Sequence, residues 1–384
     1  MRIFYFCYEG FSKLGSINNH IRETVSWMAK FGHDVHFFNP KITQPVFDHH
    51  VSIHLVPVFK FSFFKWISFD VISFFFLVRE YHPKKPDCLY FRETSSLTPL
   101  IFSKLFSIPL LVEINGWTIQ ELTESGYSGL KFRYILMVQK LVYKHADKLV
   151  PVSRGLATLI QEKYKISPRR IQVIENGTNP DFFHPLPSAL ARKRTRLPAK
   201  RTIIGFIGSC YHYHGVQFLI QAATILVRRY DNIFFVIAGD GEERPRWMRQ
   251  VSDLALDDYF RFPGKIPFSE AKYYINAFDI CVAPWHLEKL VYDSLSPMKL
   301  FDYLACEKPV ICSPVANIKK WFEENNCGVT VDVTHSQKFA DAVIGLLENH
   351  EKAREMGKNG RKMVLEHFTW QKTTEKIIKT ITEQ

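Results

Sequence analysis

Short apolar runs alternate with longer amphipathic stretches along the whole chain, and this alternation restricts the fold more than any other feature of the sequence. Residues 2–7 (RIFYFC) read as a strand, followed by a loop that contains Gly10 and Gly15. A helix is expected over residues 18–30, closed by Gly32, with a second strand at 34–39. A new series opens after Pro198: a strand at 201–207, a glycine-flanked loop at 208–215, a helix at 216–229, and a strand at 233–238 entering Gly239-Asp240-Gly241. Apolar runs at 280–283, 310–312 and 329–331 continue it. Strands followed by helices build parallel sheets, and such sheets take ligands beyond the C-terminal ends of their strands. The fold class is therefore α/β, with two Rossmann-like domains expected at 1–184 and 185–368 and facing each other across a cleft. Pro185, Pro187 and Pro198 frame the junction, and the amphipathic segment 369–384 can pack back on the N-terminal domain.

Composition narrows the class. With 384 residues, 46% hydrophobic and 23% charged, the chain has the balance of a globular protein and enough length for two cores. Seven scattered cysteines without a C-x-x-C pair point to free thiols in a reducing, cytoplasmic setting. The apolar N-terminus is too short for a signal peptide, and the apolar stretch at 61–78 is broken by Lys65 and Asp70. The formal net charge is +12, and both halves contribute: 22 basic against 15 acidic residues in 1–184, 28 against 23 in the remainder. Arg192, Lys193, Arg194, Arg196, Lys200 and Arg201 cluster in a span without acids, which reads either as a solvated linker or as a patch for phosphate-rich partners. Eight phenylalanines and Trp66 surround Lys60 and Lys65 between residues 58 and 80. They either fill the first core or lie in a membrane interface with anionic lipid.

The segment 292–310, YDSLSPMKLFDYLACEKPV, carries the most chemistry. Ser296 suits an N-cap and Pro297 a first helical position, so a helix is expected to begin there. Its first turn presents free N–H groups and the positive end of the dipole to an anion. Lys299 adds a full charge in that turn, and Asp302 follows three residues later on the same face.

SPMKLFDYLACEKPVI resembles the donor-site helix of the retaining family-4 glycosyltransferases of GT-B fold. Other stretches resemble the family in the expected order: residues 22–35 ending FGHDV, 150–153, VIENGTNPDFF at 173–183, FIGSCYHYHG at 206–215, FVIAGDG at 235–241 and RFPGKI at 261–266. The resemblance implies a nucleotide-sugar bound mainly by the C-terminal domain, with UDP as the default base. The base would meet the backbone of Gly264-Lys265-Ile266, and the ribose would meet Asp302, the second acid of an E-x7-E motif. The diphosphate would lie over Gly208 and the helix mouth at Ser296, Pro297 and Met298, with Gly15 closing from the N-terminal side. The sequence departs from the family at three places: Ser294 stands for the first acid, Ser209 and His214 for the basic pair, and Asn115 for a histidine in Glu113-Ile114-Asn115-Gly116.

These residues imply a metal-independent, retaining hexosyl transfer in which leaving-group charge is stabilised by Lys299, His214, Gly208 and helix N–H groups. Ser294 and Asn115 would bond sugar hydroxyls, and His20, Glu113 and Gly116 would line the acceptor side. No D-x-D sequence occurs and no His/Cys cluster has ligand spacing, so neither a metal nor a resident cofactor is expected. The expected acceptor is a glycan or lipid-linked molecule in surface polysaccharide or glycolipid synthesis, used by a cytoplasmic enzyme peripheral to the inner membrane face. Two rivals share these residues: a DNA-modifying GT-B glucosyltransferase, since basic charge alone does not separate lipid from nucleic acid, and a non-catalytic nucleotide-sugar-binding scaffold.

Overall fold

The computed structural model describes residues 1–11, 15–43, 45–59, 62–117, 119, 123, 126, 128–290 and 294–383, with the backbone alone for residues 16, 62–66 and 289. The chain forms two compact units, Met1–Asn176 with Trp370–Gln384, and Gly177–Thr369. The first carries β1 (Arg2–Phe6), β2 (Asp34–Pro40), β3 (Ser52–Val56), β4 (Cys88–Arg92), β5 (Leu110–Ile114) and β6 (Lys148–Pro151), in the order β3-β2-β1-β4-β5-β6. The second carries β7 (Thr202–Ile207), β8 (Ile233–Ala238), β9 (Phe260–Gly264), β10 (Ile280–Ala283), β11 (Val310–Cys312) and β12 (Val329–Thr330), in the order β12-β11-β10-β7-β8-β9. Every pairing in both sheets is parallel. Strands covered on both faces read as unbroken apolar runs, which is why RIFYF in β1 and IFFVIA in β8 are buried along their whole length.

The division of the chain falls before the proline-framed stretch. Thr178 N–H bonds the carbonyl of Phe368, and Phe183 is buried with Leu300, Phe301 and Phe368, which ties residues 177–184 to the second unit. The basic stretch is not an open linker, although Lys193, Arg196 and Lys200 stay exposed. It forms the helix Ser188–Thr195, where Arg192 is buried against Asp279 at 2.6 Å and Arg194 meets Glu270 at 2.8 Å. Arg201 bonds the carbonyl of Asp258 at 2.7 Å. Half of the six charges are thus engaged in holding the second unit together.

The last helix, Trp370–Thr382, returns to the first unit. Ile377 and Ile381 join Ile3, Tyr5, Ile21 and Val25 in one core, and the buried Trp370 ring lies 4.6 Å from His20. In the helix Ser62–Tyr81, Phe69 is buried against Phe6 and Tyr8, whereas Phe75 is exposed. The expectations attached to Lys60 and Phe61, and to the side chains of Phe63, Phe64, Lys65 and Trp66, lie outside the described residues. Among the described residues no helix is long and apolar enough to cross a membrane.

Removing the Trp370 ring would empty a site that is 1% exposed. Trp370→Ala is expected to lower unfolding free energy by about 3–5 kcal/mol in urea titrations. A change below about 1 kcal/mol would show that the returning helix adds little to the first unit.

Candidate functional site

The second sheet changes direction between β7 and β10: β8 and β9 extend from one side, β11 and β12 from the other. In a parallel sheet this is where loops at the C-terminal edge part to admit a ligand. Three loops there are stitched together, with Gly208 N–H bonding the Ala238 carbonyl at 3.0 Å and Gly239 N–H bonding the Gly264 carbonyl at 2.9 Å. Gly239 has φ +151°, and a Cβ on it would stand 1.7 Å from the Gly208 oxygen, so no other residue fits without moving the loop.

Lys299 reaches this edge from the first turn of the helix Met298–Ala305. Its Nζ lies 3.2 Å from Nδ1 and 3.4 Å from Nε2 of His214, and 4.3 Å from the centre of the Phe206 ring. Near-equal distances to both imidazole nitrogens place the amine against the ring rather than in line with one lone pair. A Cβ on Gly208 would come within 2.6 Å of that nitrogen. Among the described residues no carboxylate is within ion-pairing distance of Nζ. Burial pushes the Lys299 amine down to about 7. His214 is held well below the usual imidazole range, first by burial and then by Lys299 and His212. In the ligand-free protein His214 is therefore a neutral neighbour of Lys299, not a second cation.

The helix begins one residue later than expected. Pro297 occupies the N-cap in extended conformation, without a side-chain cap bond, and Ser296 lies outside. Just before it, the Asn317 amide accepts from Leu295 N–H at 3.0 Å and donates to the Leu295 carbonyl at 2.7 Å, clamping the approach to the helix. Ser294 is buried beside this clamp. The first N–H groups of the helix have no intrahelical partner, as at any helix start. Asp302 diverges from Lys299: its Oδ1 accepts from Thr178 Oγ1 at 2.6 Å. Ser209 and Lys265 are exposed at the same sheet edge, while Ile266 packs on the core.

In the first unit, Glu113 at the end of β5 gathers four partners. It accepts from Tyr90 at 2.8 Å, Asn115 at 2.5 Å and Arg92, and faces His20 Nε2 at 3.2 Å. Glu113 is only 2% exposed, so it organises His20 and Asn115 rather than meeting an acceptor itself. Burial opposes its charge, but His20, Arg92 and the hydrogen bonds from His20 and Asn115 hold the carboxyl far below the usual range. Burial lowers the His20 imidazole while Glu113 opposes that shift. Gly15 caps the first helix in extended conformation, and Gly116 follows Asn115.

Local spacing hid three other features. Arg92 and Asn317 act across long sequence separations, as does a cluster of His36, His54 and Glu80. Its ligand atoms are close together, but Arg2 and Arg79 also reach in: Arg2 Nε is 3.1 Å from His36 Nε2, and Arg79 donates to Glu80 at 2.8 Å. Two guanidiniums so placed disfavour a divalent cation, and the cluster reads as an internally balanced charge group.

Comparison with known proteins gives the following. Residues 17–182 match the family model described as Glycosyltransferase Family 4, and residues 188–363 match Glycosyl transferases group 1. An uncharacterized glycosyltransferase of Methanocaldococcus jannaschii is 22% identical over 95% of this chain and 94% of its own length. Sucrose-phosphate synthase from Thermosynechococcus elongatus superposes with TM-score 0.77 at 19% identity, covering 100% of this chain and 98% of that one. Anabaena HepE, in complex with UDP and glucose, gives 0.74 at 16% identity with both chains fully covered.

The depressed amine has a consequence for stability. A lysine near 7 when folded and about 10.4 when unfolded leaves the unfolded chain holding more protons between those values, so stability rises with pH there. The unfolding free energy of the natural protein minus that of Lys299→Met is expected to increase by about 1–3 kcal/mol from pH 7 to 10. A flat or falling difference would mean the amine is not desolvated.

Proposed function

This chain is a GT-B glycosyltransferase of the family-4 type, and from that premise we propose that it moves a hexose from a UDP-sugar to a lipid-linked or glycan acceptor, with retention and without a metal ion. One observation carries the reading: Lys299, an amine without a carboxylate partner among the described residues, is packed against Phe206 and His214 over Gly208 at the switch point of the second sheet. A desolvated amine gains most from an anion that arrives with its own charge. At about 4 Å and an effective dielectric near 20, each unit-charge contact is worth about 4 kcal/mol. The leaving diphosphate supplies that anion, and its charge grows as the C1–O bond breaks. Stabilisation by Lys299 and the first N–H groups of the helix is then larger in the transition state than in the ground state.

Asp302, fixed by Thr178, is the group we assign to the ribose hydroxyls, and the Gly264-Lys265-Ile266 backbone to the base. HepE, a protein of the same fold, binds UDP and glucose, which supports the choice of UDP. Ser294 and Asn115 are assigned to sugar hydroxyls, and His20 to the acceptor, its Nε2 already committed to Glu113. The acceptor class rests on the +12 charge taken together with exposed apolar side chains such as Ile67, Val71 and Phe75, a pairing that suits an anionic membrane face better than nucleic acid.

Thermal shift against UDP, GDP and ADP tests the donor: UDP is expected to raise the melting temperature most, and no response to any of them would remove the reading. Lys299→Met is expected to lower kcat/KM for donor hydrolysis or transfer by at least about 100-fold while the protein stays folded. Asp302→Ala should abolish the UDP shift, and an unchanged shift would take Asp302 out of the site. Activity should survive EDTA, whereas loss restored by magnesium would overturn metal independence. Binding with no turnover for any acceptor, water included, would favour a scaffold.

A further inference from the structure

The helix Gly129–His145 carries more apolar surface than its core contact uses. Ile135, Val138 and Val142 are buried in the first unit. Beside them, about 100° around the helix, Leu130, Tyr134, Met137 and Leu141 are 84, 41, 47 and 37% exposed. Their spacing of four, three and four residues draws a single line along the helix. An amphipathic helix that merely covered a core would carry polar residues along that line. Arg133, Lys140 and Lys144, all exposed, run along one edge of it instead, and no Asp or Glu occurs between residues 129 and 145.

A second apolar line is exposed in the same unit: the helix Ser62–Tyr81 turns Ile67, Val71 and Phe75 outward at four-residue spacing. Asp70 of that helix accepts from Ser96, lies within electrostatic reach of Tyr134, and is raised by burial to about 6.

From an outward apolar line edged by lysine and arginine with no acid in the helix, we infer that the helix Gly129–His145 lies flat in the interface of an anionic lipid bilayer. Leu130, Tyr134, Met137 and Leu141 enter the acyl boundary while the cations meet lipid phosphates. Charge complementarity chooses this occupant: a second copy of a chain with net charge +12 would bring like charge to the same face. The inference deepens the lipid-linked reading of the acceptor, rests on it, and assigns a membrane contact to this helix.

The test is co-sedimentation of the full chain with phosphatidylcholine vesicles, with and without phosphatidylglycerol. Binding is expected with the anionic vesicles, at least about tenfold stronger than with the neutral ones, and weakened by salt. The combined Leu130→Ser, Met137→Ser and Leu141→Ser variant is expected to lose at least about tenfold in partitioning with its melting temperature unchanged. Lys140→Glu with Lys144→Glu should erase the preference for anionic lipid. Should the triple variant fail to fold, a second probe remains. All seven natural cysteines are buried, so Met137→Cys can be labelled with an environment-sensitive dye. A blue shift on adding anionic vesicles is expected, and no shift overturns the inference. Equal binding to both vesicles, duplex DNA binding in their place, or a dimer that the triple substitution dissolves would each overturn it as well. The assay contains no donor or acceptor, so its failure leaves the transferase reading standing.

Discussion

A single amine, removed from water and given aromatic rings instead of a carboxylate, sets the character of the second unit. Cations in protein interiors are ordinarily paired or hydrogen-bonded, and among the described residues of this unit Arg192 has Asp279 while Lys308 donates to the Asn276 and Phe278 carbonyls. Lys299 is the exception, and the surrounding structure explains how it is held there. The Asn317 clamp fixes the backbone before the helix, Gly208 leaves room for the amine, and Gly239 lets the next loop close on Gly208. Together these features hold an amine at the C-terminal edge of the sheet with no carboxylate partner among the described residues, the kind of local conflict expected at a functional site.

The first unit uses the opposite arrangement. Its buried carboxylate, Glu113, is fully occupied by Arg92, Tyr90, Asn115 and His20. The result is a rigid platform at the end of β5 that fixes an imidazole and an amide. Charge is closed off there and left open at Lys299. A transferase needs both, because hydroxyl groups are oriented by neutral hydrogen bonds while a leaving diphosphate needs uncompensated positive charge.

The sheets were legible because parallel strands buried on both faces must be apolar throughout, and β7, β8, β10 and β11 stand where the runs of Ile, Phe and Val predict them. Lys299 and Gly208 were legible because a helix start and a glycine after a strand are local signals. The sequence pattern failed where the cause is distant. Asn317 clamps Leu295 from across 22 residues, Arg92 reaches Glu113 across 21, and neither contact leaves a trace in local spacing. The basic run at 192–201 misled for the same reason, since its partners Asp279, Glu270 and Asp258 come from far along the chain.

If the amine near Gly208 is the anion site, the arrival of a diphosphate must restore its proton. Calorimetric titration of the protein with UDP at pH 8, in two buffers of different ionisation enthalpy, reads that proton directly. The account predicts net uptake of up to about one proton per nucleotide bound, absent in Lys299→Met. Binding without proton exchange, or uptake that persists in the variant, would contradict it.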